Sequence, residues 1–469
     1  MFASPSIYKG HVTRYHARFC SVGGLFVYSH NSLTFTIHPG GSLCGVIRTP
    51  GDKSISHRAI MLGSLAEGES RVTGFLEGED SLATLAAFRA MGVTIARPAT
   101  GEVVIQGVGM HGLHAPAEPL DVGNSGTSMR LLAGLLAGQG FAVTLTGDAS
   151  LSKRPMRRVI EPLTQMGARI ESEAGGSAPL RILPTAHLVG IDYRLPVASA
   201  QVKSALLLAG LYAEGETAVT EPAPTRDHTE RMLLGMGYPL ERAEGRVALR
   251  GGGRLQGGSL AVPADISSAA FFLVGATIAP DSDLTLEHVG INPTRVGVIH
   301  ILRAMGADIT LLNLREVSGE PVADLRVRSA PLRGIVIPEE QVPLAIDEFP
   351  AIFVAAACAE GETLLTGAEE LRVKESDRIQ VMADGLALLG IDVEPRSDGI
   401  RIRGGKIGSG RVESHGDHRI AMAFAMAGLR ASGAITIGDC ANVNTSFPGF
   451  ATLAAGCGLA IETTTEGAA

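Results

Sequence analysis

Lys53, Ser54, His57 and Arg58 fall within the stretch GDKSISHR (51–58), directly ahead of the apolar run AIMLGSLA. The chemistry such a cluster suits is anion capture. A helix start already presents free N–H groups and a positive pole, so a carboxylate or a neutral cap is its usual occupant. Two added cations cost stability there unless an anion sits among them. Five further segments repeat the theme ahead of apolar runs: GNSGTSMR (123–130), ASAQVKS (198–204), ADISSAA (264–270), IDEFPA (346–351) and GDHRIAM (416–422). They are rich in Asp, Asn, Ser and Gly, which cap helices. The cations Lys53, Arg58, Arg130, Lys203 and Arg419 fall in the same places. If all six starts face one cleft, their poles sum into a trap for small anions.

The elements that must carry these segments are legible as a repeat. A helix-like run ending in a turn glycine and a strand recurs as AFRAMGVTI (87–95), PLTQMGARI (162–170), MLLGMGYPL (232–240), ILRAMGADI (301–309), LALLGIDV (386–393) and TLAAGCGLAI (452–461). The glycine suits a left-handed helix C-cap. Each copy follows a second apolar run and a Thr/Val-rich strand, so the unit reads helix, strand, helix, strand with further short strands. The turn glycines stand 68 to 84 residues apart. That period is too long for a solenoid repeat. Three units in each of two similar domains are expected.

The 469-residue length also favours two domains. With 45% hydrophobic and 19% charged residues a large core can form, which excludes a disordered chain. No apolar run reaches the roughly 18 residues of a membrane span. Five cysteines without C-x-x-C spacing argue against a disulfide framework or a structural zinc, and fit the cytoplasm. A net charge of −8 speaks against a nucleic-acid partner. Residues 1–39 carry Lys9, Arg14 and Arg18 but no acid. They read as a disordered leader or a misassigned start.

The motifs GDKSISHR, GNSGTSMR, SKRPM, SAQVKSA, TRDHTE, IDEFP, LRVKESDR and GDHRIAM resemble, in order, the 5-enolpyruvylshikimate-3-phosphate (EPSP) synthase family, and its class II branch more than class I. The resemblance runs from about Gly45 to about Ile461. It implies an inside-out α/β barrel fold in two domains, each of three βαβαββ repeats, six in all. The chain would cross between domains near Pro50–Asp52 and again near Val262–Asp265. One domain would then be residues 52–262, and the other 40–51 plus 263–469. The implied reaction moves the enolpyruvyl group of phosphoenolpyruvate to the 5-hydroxyl of shikimate 3-phosphate and releases phosphate. A monomer without a cofactor or a metal is expected.

By the family pattern Ser54, Arg58, Ser199, Ala200, Gln201, Arg226 and Lys374 serve shikimate 3-phosphate. Lys53, Arg154, Arg378 and Arg419 hold phosphoenolpyruvate, with Gly126 allowing its close approach, and Asn124 is a further substrate-binding residue. Three arginines among those four cations suit planar, two-bond grips on carboxylate or phosphate. Catalysis needs one group to take the hydroxyl proton and another to protonate the methylene carbon. The pattern puts Asp347 beside the hydroxyl and Glu375 beside the carbon, with Lys53 as a third catalytic group.

From the residues alone, Asp347 could instead cap the helix through FPAIFVAAA, and Glu375 could be a loop charge paired with Arg372 or Arg378. His57 reads as a packing residue, and His415 with His418 lacks a third zinc ligand. Thr445 stands where class I has a lysine, and Gly126 where the herbicide-tolerant class II pattern has alanine. The latter leaves room for glyphosate as an inhibitor. Three rival readings remain: UDP-N-acetylglucosamine enolpyruvyl transferase, which wants a cysteine in the GDASLSKRPM loop, a non-catalytic anion-binding relative, and an RNA-end cyclase built on a related repeat. An RNA-end cyclase would want a nucleotide site and a basic face, and neither is visible.

Overall fold

The protein is a mixed α/β molecule, and the computed structural model describes residues 32–466. Among these residues twelve α-helices alternate along the chain: α1 (Lys53–Leu65), α2 (Glu79–Ala90), α3 (Gly126–Ala137), α4 (Arg157–Gln165), α5 (Ala200–Gly210), α6 (His228–Gly235), α7 (Ile266–Ile278), α8 (Gly297–Met305), α9 (Phe349–Ala357), α10 (Arg378–Leu388), α11 (His418–Ala427) and α12 (Phe450–Cys457). The odd-numbered helices are the apolar runs opened by the six capping segments. In α7 and α9 every residue is buried. Helices that are apolar on all sides belong in an interior, and these pack on one another: α1 and α5 on α3, α7 and α11 on α9.

The six turn glycines all close an even-numbered helix with a positive φ, from +81° at Gly237 to +123° at Gly458. A side chain there would be strained, which explains why the same residue type recurs at each of these turns.

Strands among the described residues form six small sheets. In five of them a strand leaving an odd-numbered helix is an inner member, while in the three-stranded sheet Glu362–Leu365, which leaves α9, lies at the edge. In the first sheet Glu67–Thr73 pairs antiparallel with Glu102–Val108 and parallel with Ser259–Ala261. The same parallel edge appears where Cys44–Ile47 joins Asp283–Gly290. In the sixth sheet Ser32–Ile37 lies antiparallel between Ile435–Gly438 and Ile461–Glu466.

That last sheet corrects the expected leader over 1–39. Residues 1–31 lie outside the described residues, but 32–37 form an inner strand. The alternation in SLTFTI explains it, since Phe35 and Ile37 are 2% and 0% exposed and enter the core.

The buried apolar residues form two cores. One is drawn from Ile55 to Val262, the other from Phe35 to Leu43 and from Ala264 to Leu459. The chain passes between them twice, at adjacent points. Asp52 N donates to Pro263 O at 2.8 Å and Asp265 N to Pro50 O at 2.9 Å. Gly51 is required at this crossing, because a Cβ there would lie 1.8 Å from Gly74 O. No described helix is long and apolar enough to cross a membrane.

Candidate active site

The six capping segments sit at the N-termini of the six odd-numbered helices, and four of them carry cations. Asp52, Ser125, Ser199, Asp265 and Asp417 cap α1, α3, α5, α7 and α11 through side-chain acceptance of a backbone N–H. The α9 start differs. Its N-cap is Glu348, which makes no side-chain cap bond, and Asp347 lies one residue further out. Asp347 is therefore not a helix cap.

The carboxylate of Asp347 is instead surrounded by cations. Arg226 donates to Oδ2, Arg378 Nη1 lies 3.2 Å and Lys374 Nζ 3.6 Å from Oδ1, and Arg419 Nη2 is 4.0 Å from Oδ2. Arg419 also donates to the Asp347 carbonyl at 3.1 Å. Burial pushes the Asp347 carboxyl up, but Arg226, then Lys374, Arg419 and Arg378, outweigh it and hold the group well below the usual carboxylate range.

Glu375 has the same character. Its Oε2 accepts from Arg378 Nη2 at 2.5 Å and its Oε1 lies 3.7 Å from Arg154 Nη1. Burial again acts upward and is overcome by Arg378, Arg154 and His418. Arg372, the other partner expected from sequence, turns to Asp377 at 2.6 Å. Arg378 is itself 1% exposed and anchored to the fully buried Asp417 at 2.8 Å.

From Arg154 the network runs into the other core's residues. Arg154 Nη2 donates to Asn124 Oδ1 at 2.7 Å. A Cβ on Gly126 would stand 2.8 Å from Arg130 Nη1 and 3.3 Å from Arg154 Nη1, so the missing methyl lets the two guanidinium groups approach the helix start. Gln201 accepts from Arg130 Nη1 at 2.7 Å and donates to Thr127 Oγ1 at 3.0 Å. Burial, with Arg154 next, lowers the Arg130 guanidinium to about 10. Ser199 and Ala200 form the cap and first residue of α5 beside it.

The opening segment occupies the α1 start. Lys53 Nζ lies 2.5 Å from Asp80 Oδ2. Arg58 is 3% exposed and donates to Thr229 Oγ1 at 2.7 Å, Ser204 Oγ at 2.7 Å and the Ser54 carbonyl at 2.9 Å. Burial lowers it to about 10. Among the described residues no carboxylate forms an ion pair with it. His57 bonds Thr84 Oγ1 at 2.8 Å and is kept neutral first by burial, then by Lys53 and Arg58, in keeping with a packing residue.

One connected set thus holds Asn124, Gly126, Arg154, Gln201, Arg226, Asp347, Lys374, Glu375, Arg378 and Arg419, with contacts such as Arg226–Asp347 and Arg154–Glu375 joining residues of the two cores' segments. Lys53, Ser54, Arg58, Ser199 and Ala200 lie at the helix starts beside it. Four participants were not in the sequence-derived site: Asp80, Arg130, Asp417 and His418. Arg130 had been noticed only as a helix-end cation. His418 is neutral chiefly through burial, then through Lys53 and Arg419.

Two carboxylates amid this many cations form a site that is electrostatically ready for anions. A family model for EPSP synthase (3-phosphoshikimate 1-carboxyvinyltransferase) matches residues 37–453. The chain belongs to the EPSP synthase family. It is 72% identical over 430 residues to the 3-phosphoshikimate 1-carboxyvinyltransferase of Alkalilimnicola ehrlichii, covering 92% of this chain and 96% of that protein. Identity to the protein of the same name from Methylococcus capsulatus is 68%, over 92% and 98%. The EPSP synthase structure from Acinetobacter baumannii superposes with a TM-score of 0.84 at 60% identity, covering 92% of this chain and all of that one.

Proposed function

We propose that this cleft transfers the enolpyruvyl group of phosphoenolpyruvate to the 5-hydroxyl of shikimate 3-phosphate, as a 3-phosphoshikimate 1-carboxyvinyltransferase of aromatic amino-acid biosynthesis. The observation that carries the reading is the sharing of Arg378 by Asp347 and Glu375. Both substrates bring a phosphate and a carboxylate. They would take over the cations that the two side chains now occupy. Lys53, Arg154, Arg378 and Arg419 would hold phosphoenolpyruvate. Ser54, Arg58, Ser199, Ala200, Gln201, Arg226 and Lys374 would hold shikimate 3-phosphate.

This exchange supplies the acid. As phosphoenolpyruvate draws Arg378 and Arg154 to itself, Glu375 loses the partners that keep it ionised, and burial raises its proton affinity. Glu375 then protonates C3 of phosphoenolpyruvate while Asp347 takes the 5-hydroxyl proton. The oxygen attacks C2, and the tetrahedral intermediate expels phosphate as the proton at C3 returns.

The six sheets with their paired helices read as six βαβαββ units, three around each core, in an inside-out α/β barrel. Residues 52–262 form one domain and 40–51 plus 263–469 the other, with the strand at 32–37 added to the second. We place the enzyme in the cytoplasm as a monomer without a cofactor or a metal, with glyphosate as an inhibitor at the phosphoenolpyruvate subsite.

Phosphate release measured with phosphoenolpyruvate and either shikimate 3-phosphate or UDP-N-acetylglucosamine tests the reading. Turnover with shikimate 3-phosphate alone is expected. Release only with the nucleotide sugar, or with neither, overturns it.

A further inference from the structure

The loop Asn292-Pro293-Thr294-Arg295 holds a set of buried acids, and three of them are chain neighbours of cleft residues. Arg295 is 4% exposed. Its Nη1 lies 3.0 Å from Asp52 Oδ2, and its Nη2 lies 3.2 Å from Asp265 Oδ1, 2.7 Å from Ser267 Oγ and 3.5 Å from Glu348 Oε1. Asn292 Nδ2 donates to Asp227 Oδ1 at 2.7 Å and to Glu320 Oε2 at 2.8 Å. The loop is braced internally, because Asn292 Oδ1 accepts from the Thr294 N–H at 2.9 Å and its hydroxyl at 2.8 Å.

The pattern of neighbours is what gives this loop a role. Asp52 precedes Lys53, Asp227 follows Arg226, and Glu348 follows Asp347. Asp52, Asp227 and Glu348 are 4%, 4% and 2% exposed, so none can trade its partner for water. Buried charges of this kind keep their geometry because breaking one pair leaves the other charge stranded. One guanidinium meets the N-caps of α1, α7 and α9 where the chain crosses between the cores. One amide reaches the α6 start, which Glu320 also ties through His228 at 2.7 Å.

Asp227, His228 and Glu320 approach one another closely enough to resemble a cation site. Asp227 already carries Arg231 at 2.8 Å and Arg242 at 2.5 Å, so its charge is met by protein. These residues belong with the loop.

We propose that Asn292 and Arg295 are positioning residues that fix the separation of Lys53, Arg226 and Asp347 across the cleft, acting through the acid beside each. The inference rests on the cleft reading above. Lysine at 295 supplies a charge but no planar fork, so it cannot meet Asp52, Asp265 and Glu348 together.

The test uses the full chain with Arg295→Lys, Arg295→Gln and Asn292→Ala, measuring phosphate release against each substrate alongside thermal melting. Misplacing cleft groups by a fraction of an ångström is expected to raise KM for both substrates and lower kcat in Arg295→Lys, by about 10-fold or more in kcat/KM. Asn292→Ala is expected to raise KM for shikimate 3-phosphate more than for phosphoenolpyruvate, since it holds Asp227, the chain neighbour of Arg226. If Arg295→Gln fails to fold, the other two variants still decide. Folded Arg295→Lys and Asn292→Ala with wild-type kcat and KM overturn the proposal. An inactive wild-type protein would instead overturn the cleft reading, so the two failures are distinguishable.

Discussion

Arg378 Nη2 lies 2.5 Å from Glu375 Oε2, and the same guanidinium reaches Asp347 Oδ1 at 3.2 Å. The two carboxylates proposed for opposite proton transfers therefore depend on one buried cation, which a substrate anion must share or displace.

Glu375→Gln and Asp347→Ala are each expected to lower kcat by roughly 100-fold or more, the loss typical of a missing general acid or base. Shikimate 3-phosphate should still bind in both, measurable by calorimetry. Wild-type turnover in both variants would remove these residues from the chemistry.

Stability should fall in acid through the same pair. Their folded pKa values lie below the ordinary 3.8 and 4.5, so their contribution is complete above those values and is lost as pH falls through the lowered ones. Melting temperature against pH from 6 down to about 3 should drop less steeply in a Glu375→Gln variant than in the wild type. Parallel curves would contradict the shift.

Gly126→Ala places a methyl where Arg130 and Arg154 approach. The guanidinium groups must move outward. KM for phosphoenolpyruvate should rise several-fold, and glyphosate inhibition should weaken more than that, because a longer ligand tolerates less narrowing. Steady-state inhibition assays compare the two effects.

Gly134→Ala tests the packing of the odd-numbered helices. Its Cβ would lie 2.1 Å from Ala205 O, where α3 meets α5. Overpacking of this kind costs about 1–3 kcal/mol. Denaturant melts should show that loss, and an unchanged midpoint would mean the helices separate freely.

The helix starts, the turn glycines and the apolar helices were legible because each rests on local rules: capping chemistry, positive φ and apolar periodicity. Two apolar runs such as FPAIFVAAA announce a fully buried helix without any partner in view. The roles of Asp347 and Glu375 came from motif resemblance, since a lone acid ahead of an apolar run looks like a cap. Only the fold shows Asp347 turned to Arg226, which lies 121 positions away. Asp80 and the Asn292–Arg295 loop were missed because their partners are remote in sequence and nothing nearby marks them, while Asp417 was read only as part of a capping segment and not as the anchor of Arg378. The strand at 32–37 was missed because its composition is that of the preceding residues, while its pairing partners lie at the far end of the chain.

That strand also sets an order of assembly. Ser32–Ile37 is synthesised well before both neighbours in its sheet, Ile435–Gly438 and Ile461–Glu466. The core drawn from residues 55–262 takes all its buried apolar residues from one continuous stretch. The second core must keep a finished strand waiting until those distant partners are made before that sheet can close.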